Sequence, residues 1–99
     1  MRYQSLFTNE AKRDLVNAIK WYESKKTGLG KIFLGMVKAK VKVLNRQPEL
    51  FQVRYSEIRT VKLDKFPYLI HYKTEEDLKK NIILAILHTS IDTTKWASE

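Results

Sequence analysis

Cysteine is absent from this 99-residue chain, and there are only two histidines, two prolines and three glycines. Without cysteine there is no disulfide framework and no thiolate metal site, so a small domain of this kind depends on its packing. Two histidines far apart in sequence argue against a structural zinc site, and neither a metal nor a cofactor is expected. No apolar run approaches transmembrane length, and no lipidation motif or strongly apolar basic helix suggests membrane attachment. Residues 1–20 carry charges throughout, unlike a secretory signal, so the expected compartment is the cytoplasm.

What is present is a core and a charge. Hydrophobic residues make up 43% and aromatics 11%, enough for one packed domain over residues 1–99 and against wholesale disorder. Nineteen Lys and Arg against eleven Asp and Glu leave a net charge of +8. That field attracts acidic partners, whether nucleic acid or acidic protein, although a solubilising lysine surface produces the same composition.

Hydrophobic period divides the chain in two. Residues 2–7 alternate as a short first strand. Thr8 or Asn9 can cap a helix in which Ala11, Leu15, Ala18, Ile19 and Tyr22 share one face. Gly28-Leu29-Gly30 breaks it, and a second helix is expected from Lys31 to Asn45, with Phe33, Val37, Val41 and Leu44 inward and Pro48 as its stop. Lys31, Lys38 and Lys42 share the opposite face, either as a solvated surface or as a seat for an acidic partner segment. From Gln52 the period becomes two: Val53 and Tyr55, then residues 59–63, then Tyr68, Ile70 and Tyr72 against Leu69, His71 and Lys73. After a charged turn at 74–80, the apolar stretch 81–88 reads as a central strand covered on both faces. The expected fold is α+β: an N-terminal strand, an αα-hairpin, then an antiparallel sheet of the C-terminal strands.

Trp21-Tyr22-Glu23, Gly28-Leu29-Gly30 with Phe33, Pro48-Glu49, Phe66-Pro67-Tyr68 with Tyr72, the Ala85–His88 segment and Trp96 together resemble the RelE/ParE superfamily of bacterial type II toxins. The resemblance covers nearly the whole chain and is closest to the ParE-like, plasmid-stabilisation branch. It implies a toxin neutralised by a cognate antitoxin. It also implies one of two targets: mRNA in the ribosome, cleaved without a metal, or DNA gyrase, inhibited without catalysis.

Metal-free RNA cleavage needs a group to activate the 2′-OH, an acid for the leaving oxygen, and positive charge on the phosphate. His88 is the candidate acid or base, or else it simply closes its strand. Arg59 is the candidate phosphate ligand, or else it pairs with Asp64 or a helix carboxylate. Lys62, Lys65 and Arg54 are candidate cations for target binding. His71 reads as an ordinary sheet residue, Tyr68 and Tyr72 as core, and Trp96 as the dock of a C-terminal tail. Relatives in this branch carry an Arg and a Pro after the His, where Ile91 and Thr93 stand here. That departure lowers the nuclease expectation and leaves open a degenerate toxin or a non-catalytic nucleic-acid-binding module.

Overall fold

The computed structural model describes residues 3–91. Strand β1 (Gln4–Phe7) leads into α1 (Asn9–Lys25) and α2 (Leu29–Arg46), followed by β2 (Val53–Tyr55), β3 (Ile58–Lys62), β4 (Tyr68–Glu75) and β5 (Lys80–His88). The strands form one sheet in the order β1-β5-β4-β3-β2. The four C-terminal strands are antiparallel neighbours, as expected, whereas β1 joins β5 in parallel and makes the sheet mixed. A parallel neighbour requires a crossover, and here it runs through the helical hairpin and strands β2, β3 and β4. Thr93 and Trp96 lie outside the described residues.

Thr8 ties the first strand to the first helix. Its Oγ1 accepts the Ala11 N–H at 3.1 Å and caps α1, while its hydroxyl donates to the Leu84 carbonyl at 3.2 Å. At the other end of α1 the Glu23 carboxylate accepts the N–H groups of Gly28 and Gly30, the latter at 3.0 Å. Those bonds hold Glu23 below the usual carboxylate pKa. They also satisfy N–H groups that a helix start leaves open, which is why α2 begins at Leu29 rather than Lys31. Gly28 occupies the left-handed region at φ +92°. At Gly30 the two helices approach so closely that a Cβ would sit 2.8 Å from the Ile19 carbonyl oxygen.

Phe33, Val37 and Leu44 of α2 and Ala11 and Ala18 of α1 pack onto Val61, Ile70, Tyr72, Ile83 and Ile86 of the sheet. The Phe66-Pro67-Tyr68 segment locks onto the hairpin through rings. Tyr22 stacks on Phe33 at 5.3 Å, and Phe66 meets both edge-on at 4.8 and 5.1 Å. Buried Asn81 joins β5 to the end of α2, donating to the Leu44 carbonyl at 3.2 Å and accepting from Thr74 at 2.7 Å.

One irregularity sets the faces of β5. His71 pairs with Ala85 but Tyr72 pairs with Ile83, so Leu84 is an extra residue. Ile83 and Ile86, three apart, therefore both enter the core. The other face of β5 is covered less than expected: Ile82, Leu84 and Leu87 are half-buried.

Gly30→Ala is expected to destabilise the protein by about 1–3 kcal/mol through overpacking against Ile19. Gly35→Ala, in the same helix with nothing within 4 Å of its Cβ position, is expected to stabilise by about 0.5–1 kcal/mol. Denaturant unfolding of the two variants measures the difference.

Candidate functional site

His88 and Arg59 both project from the helix-covered face of the sheet, but they do not meet. His88 pairs with Tyr68 and Arg59 with Tyr72. Four residues of strand, about 13 Å, and the intervening strand β4 separate them. Each is engaged locally. The Arg59 guanidinium donates to the Phe51 carbonyl at 2.6 Å, beside the Tyr72 hydroxyl, which donates to the Pro48 carbonyl at 2.6 Å. Those two bonds fasten the segment after α2 to the sheet, and burial pushes the Tyr72 pKa up to about 12. Arg59 thus pairs with neither Asp64 nor a helix carboxylate among the described residues; Asp64 pairs with Lys40 at 3.5 Å. The His88 ring lies edge-on to Tyr68 at 5.3 Å, and its Nδ1 accepts the Ser90 N–H at 3.0 Å. The proton of the neutral ring is then on Nε2.

Near His88 the sequence concealed a second polar group. Asp14 of α1 accepts the Ile86 N–H at 3.0 Å, on the edge of β5 beyond the end of β1. Its pKa is raised chiefly by burial, and it in turn adds to the raised pKa of half-buried Tyr68. Asp14, Tyr22 and Tyr68 lie at this end of the sheet, and the Arg13 charge near Asp14 opposes part of the upward shift of its carboxyl.

The opposite face of the sheet carries His71, which is wholly buried, and Tyr55. The Tyr55 hydroxyl and His71 Nδ1 share a hydrogen bond of 2.8 Å that links β2 to β4. Lys62, Lys65 and Arg54 are exposed on β3, the following turn and β2, with Lys62 opposite Leu69 and Arg54 beside the Val53–Arg59 pair at the other end of β3. Lys62 donates to the Leu63 carbonyl at 3.2 Å.

Lys31, Lys38 and Lys42 are all exposed on α2, and none forms an ion pair among the described residues. Lys38 and Lys42 border an apolar trough of about 410 Å³ floored by Phe7, Leu15, Leu34, Val37 and Val41; Lys31 is not part of its lining. The trough opens at Lys42 and Asn45 into a polar pocket of about 500 Å³ lined also by Tyr3, Gln4, Ser5 and Arg46. Sequence reasoning missed Phe7, Leu15 and Arg46 as site residues. Only the spacing of Arg46, four residues after Lys42, hinted at its place in the row. No group of three potential metal ligands occurs among the described residues, and no described helix is long and apolar enough to cross a membrane.

Burial, aided by the neighbouring Arg54 charge, lowers the His71 pKa from 6.5 to about 4. The unfolded chain therefore takes up this proton first, and stability is expected to fall by up to ~3 kcal/mol as pH drops from 6.5 to 4. Carboxylates held low, Glu23 and Glu76, lose their contribution only below their usual value of 4.5. Urea unfolding at stepped pH should show the decline already between pH 6.5 and 5, and His71→Leu should flatten it.

The fold has known counterparts. It superposes on the chromosomal ParDE system of P. aeruginosa with a TM-score of 0.68 at 20% identity, covering 88% of this chain and 96% of that one. The RelBE2 toxin–antitoxin complex of Mycobacterium tuberculosis gives 0.62 at 21% identity, covering 89% and 92%. The isolated E. coli RelE toxin gives 0.62 at 16%, covering 97% and 94%. No curated protein sequence matches the chain. Residues 6–93 match the ParE toxin of the type II toxin–antitoxin system parDE, and with that match over most of its length the chain belongs to the ParE toxin family.

Proposed function

We propose that this toxin acts in the cytoplasm by inhibiting DNA gyrase, without cleaving RNA, and that a cognate antitoxin with an acidic wrapping segment neutralises it. The family match carries the reading, and the dispersal of the ionisable groups supports it. A nuclease of this class must gather an acid, a base and a cation around one phosphate. Here His88 lies beside Tyr68, and Arg59 is committed to the Phe51 carbonyl about 13 Å farther along the sheet.

The charge distribution supports the antitoxin half. Helix α2 contains five Lys and Arg and no acid, and four of those cations, Lys31, Lys38, Lys42 and Arg46, are exposed. An acidic segment over this helix gains association rate and specificity from complementary charge. Lys62, Lys65 and Arg54 lie toward β2 and β3, at the far edge of the sheet from β1, and remain available to meet the target.

Induced expression is expected to arrest growth, with relaxation of plasmid supercoils and intact mRNA, and co-expression of the adjacent gene is expected to restore growth. Ribosome-dependent mRNA cleavage that disappears in a His88→Ala, Arg59→Ala double variant would instead identify a nuclease. Salt-sensitive nucleic-acid binding with normal growth would point to a binding module.

A further inference from the structure

Helix α1 turns two of its three carboxylates to internal work. Asp14 accepts the Ile86 N–H of β5, and Glu23 accepts the N–H groups of Gly28 and Gly30 at the start of α2. The third, Glu10, stands in the first turn. From Lys12 onward the outward side is therefore cationic. Arg13, Asn17 and Lys20, at positions i, i+4 and i+7, form one exposed stripe, with Lys12 and Lys25 exposed to either side of it. None of these four cations forms an ion pair among the described residues. Lys25 is held close to the helix, its ammonium 4.0 Å from the centroid of the Trp21 ring. From Lys12 to Lys25 the row covers ~20 Å.

Two exposed apolar side chains flank the stripe without joining. Val16 and Trp21 are 47% and 55% exposed but lie about 140° apart around the helix, with the stripe between them. The face therefore has no apolar centre of the kind that anchors a protein partner. The trough on α2 is built the other way, with cations bordering an apolar floor. Cations in a row with a neutral amide among them suit phosphates, which Arg, Lys and Asn side chains contact without reading sequence. A duplex presents one charge per ~1.7 Å of its axis, dense enough for all four cations to meet the backbone together. Single strands are gripped largely by stacking, and Trp21, the exposed aromatic of this helix, already has Lys25 over its ring.

We infer that the outer face of α1 binds the backbone of duplex DNA, independent of sequence, through Lys12, Arg13, Lys20 and Lys25. The inference deepens the proposed action on gyrase and rests on it for the source of the duplex, since that enzyme acts on double-stranded DNA. In that setting α1 lies against the duplex that the enzyme holds.

Fluorescence anisotropy of a labelled twenty-base-pair duplex of mixed sequence, titrated with the full-length protein, tests the assignment. With three or four phosphates contacted, affinity is expected to fall roughly 40- to 150-fold between 50 and 200 mM salt. Arg13→Glu with Lys20→Glu is expected to weaken low-salt binding by roughly twentyfold or more. Arg13 also acts on the Asp14 carboxyl, so Lys20→Glu with Lys25→Glu repeats the test away from it, with the same loss expected. Lys38→Glu with Lys42→Glu makes the same change in net charge on α2 and is expected to leave binding within about threefold of wild type. Circular dichroism confirms that each variant is folded. Absence of duplex binding at low salt overturns the proposal, and so does an equal loss in the α1 and α2 variants, which marks a diffuse field. Tighter binding of a single-stranded thymidine ten-mer overturns the choice of duplex. Tighter binding of a ten-residue Glu peptide, lost in the α1 variants, overturns the proposal in favour of an acidic protein.

A supercoiling assay with purified gyrase separates the two readings. If wild type leaves supercoiling intact yet binds the duplex through α1, the gyrase reading fails and the DNA face stands. If wild type and the α1 variants inhibit gyrase equally, the gyrase reading stands and a role for α1 against the enzyme's duplex is overturned.

Discussion

The extra residue at Leu84 decides which side chains can meet. In an unbroken strand, residues two apart share a face, so Ile83 would share its face with Ala85 and Leu87, and His88 would point away from the helices. The bulge reverses that order, puts Ile86 and His88 on the helix side, and lets the apolar stretch 81–88 feed the core from both halves. Two polar contacts surround it. Thr8 donates to the Leu84 carbonyl, and Asp14 accepts the Ile86 N–H where β1 no longer covers the edge of β5. The same residues that cap and anchor α1 therefore also set the register of the sheet. The aromatic lock of Tyr22, Phe33, Phe66 and Tyr68 depends on that placement of the helix.

That dependence explains what could be read from the residues in order. The two helices and the stripe of Tyr68, Ile70 and Tyr72 follow from period alone, because a helix or strand declares its buried face locally. His71 on the opposite face follows from the same alternation. The parallel pairing of β1 does not, since a strand of four residues carries no sign of its partner 76 positions away. The bulge is equally silent: Asn81–His88 is apolar at nearly every position, and such a run shows no period to break. His88 looked like a site residue because of where it falls in the chain, and Arg59 because of its charge. Their partners, Tyr68 with the Ser90 backbone and the Phe51 carbonyl, become visible only in three dimensions.

Charge is distributed as unevenly as the polar bonds. The ion pairs found among the described residues, Lys40 with Asp64, Lys73 with Glu75 and Lys79 with Glu76, involve carboxylates outside α2. Each is exposed enough that solvent screens most of its worth. The net charge of +8 is therefore not a uniform coat. It is concentrated where a helix has no acid of its own, beside a groove with an apolar floor. A solubilising surface needs cations but has no use for Val37, Val41 and Phe7 gathered beneath them.

The same geometry bears on the choice between catalysis and binding. A catalytic pair needs two groups within reach of one bond, and such a pair tolerates little displacement. Arg59 and His88 are held apart by the strand between them, and moving either would unpair the Phe51 carbonyl or break the His88 turn. A binding surface has no such requirement, since its cations can act additively over many ångströms, and Lys38, Lys42 and Arg46 lie along one helix. Polar groups spent on holding turns and edges, with unpaired charge along α2, are the observations on which the proposed binding role rests.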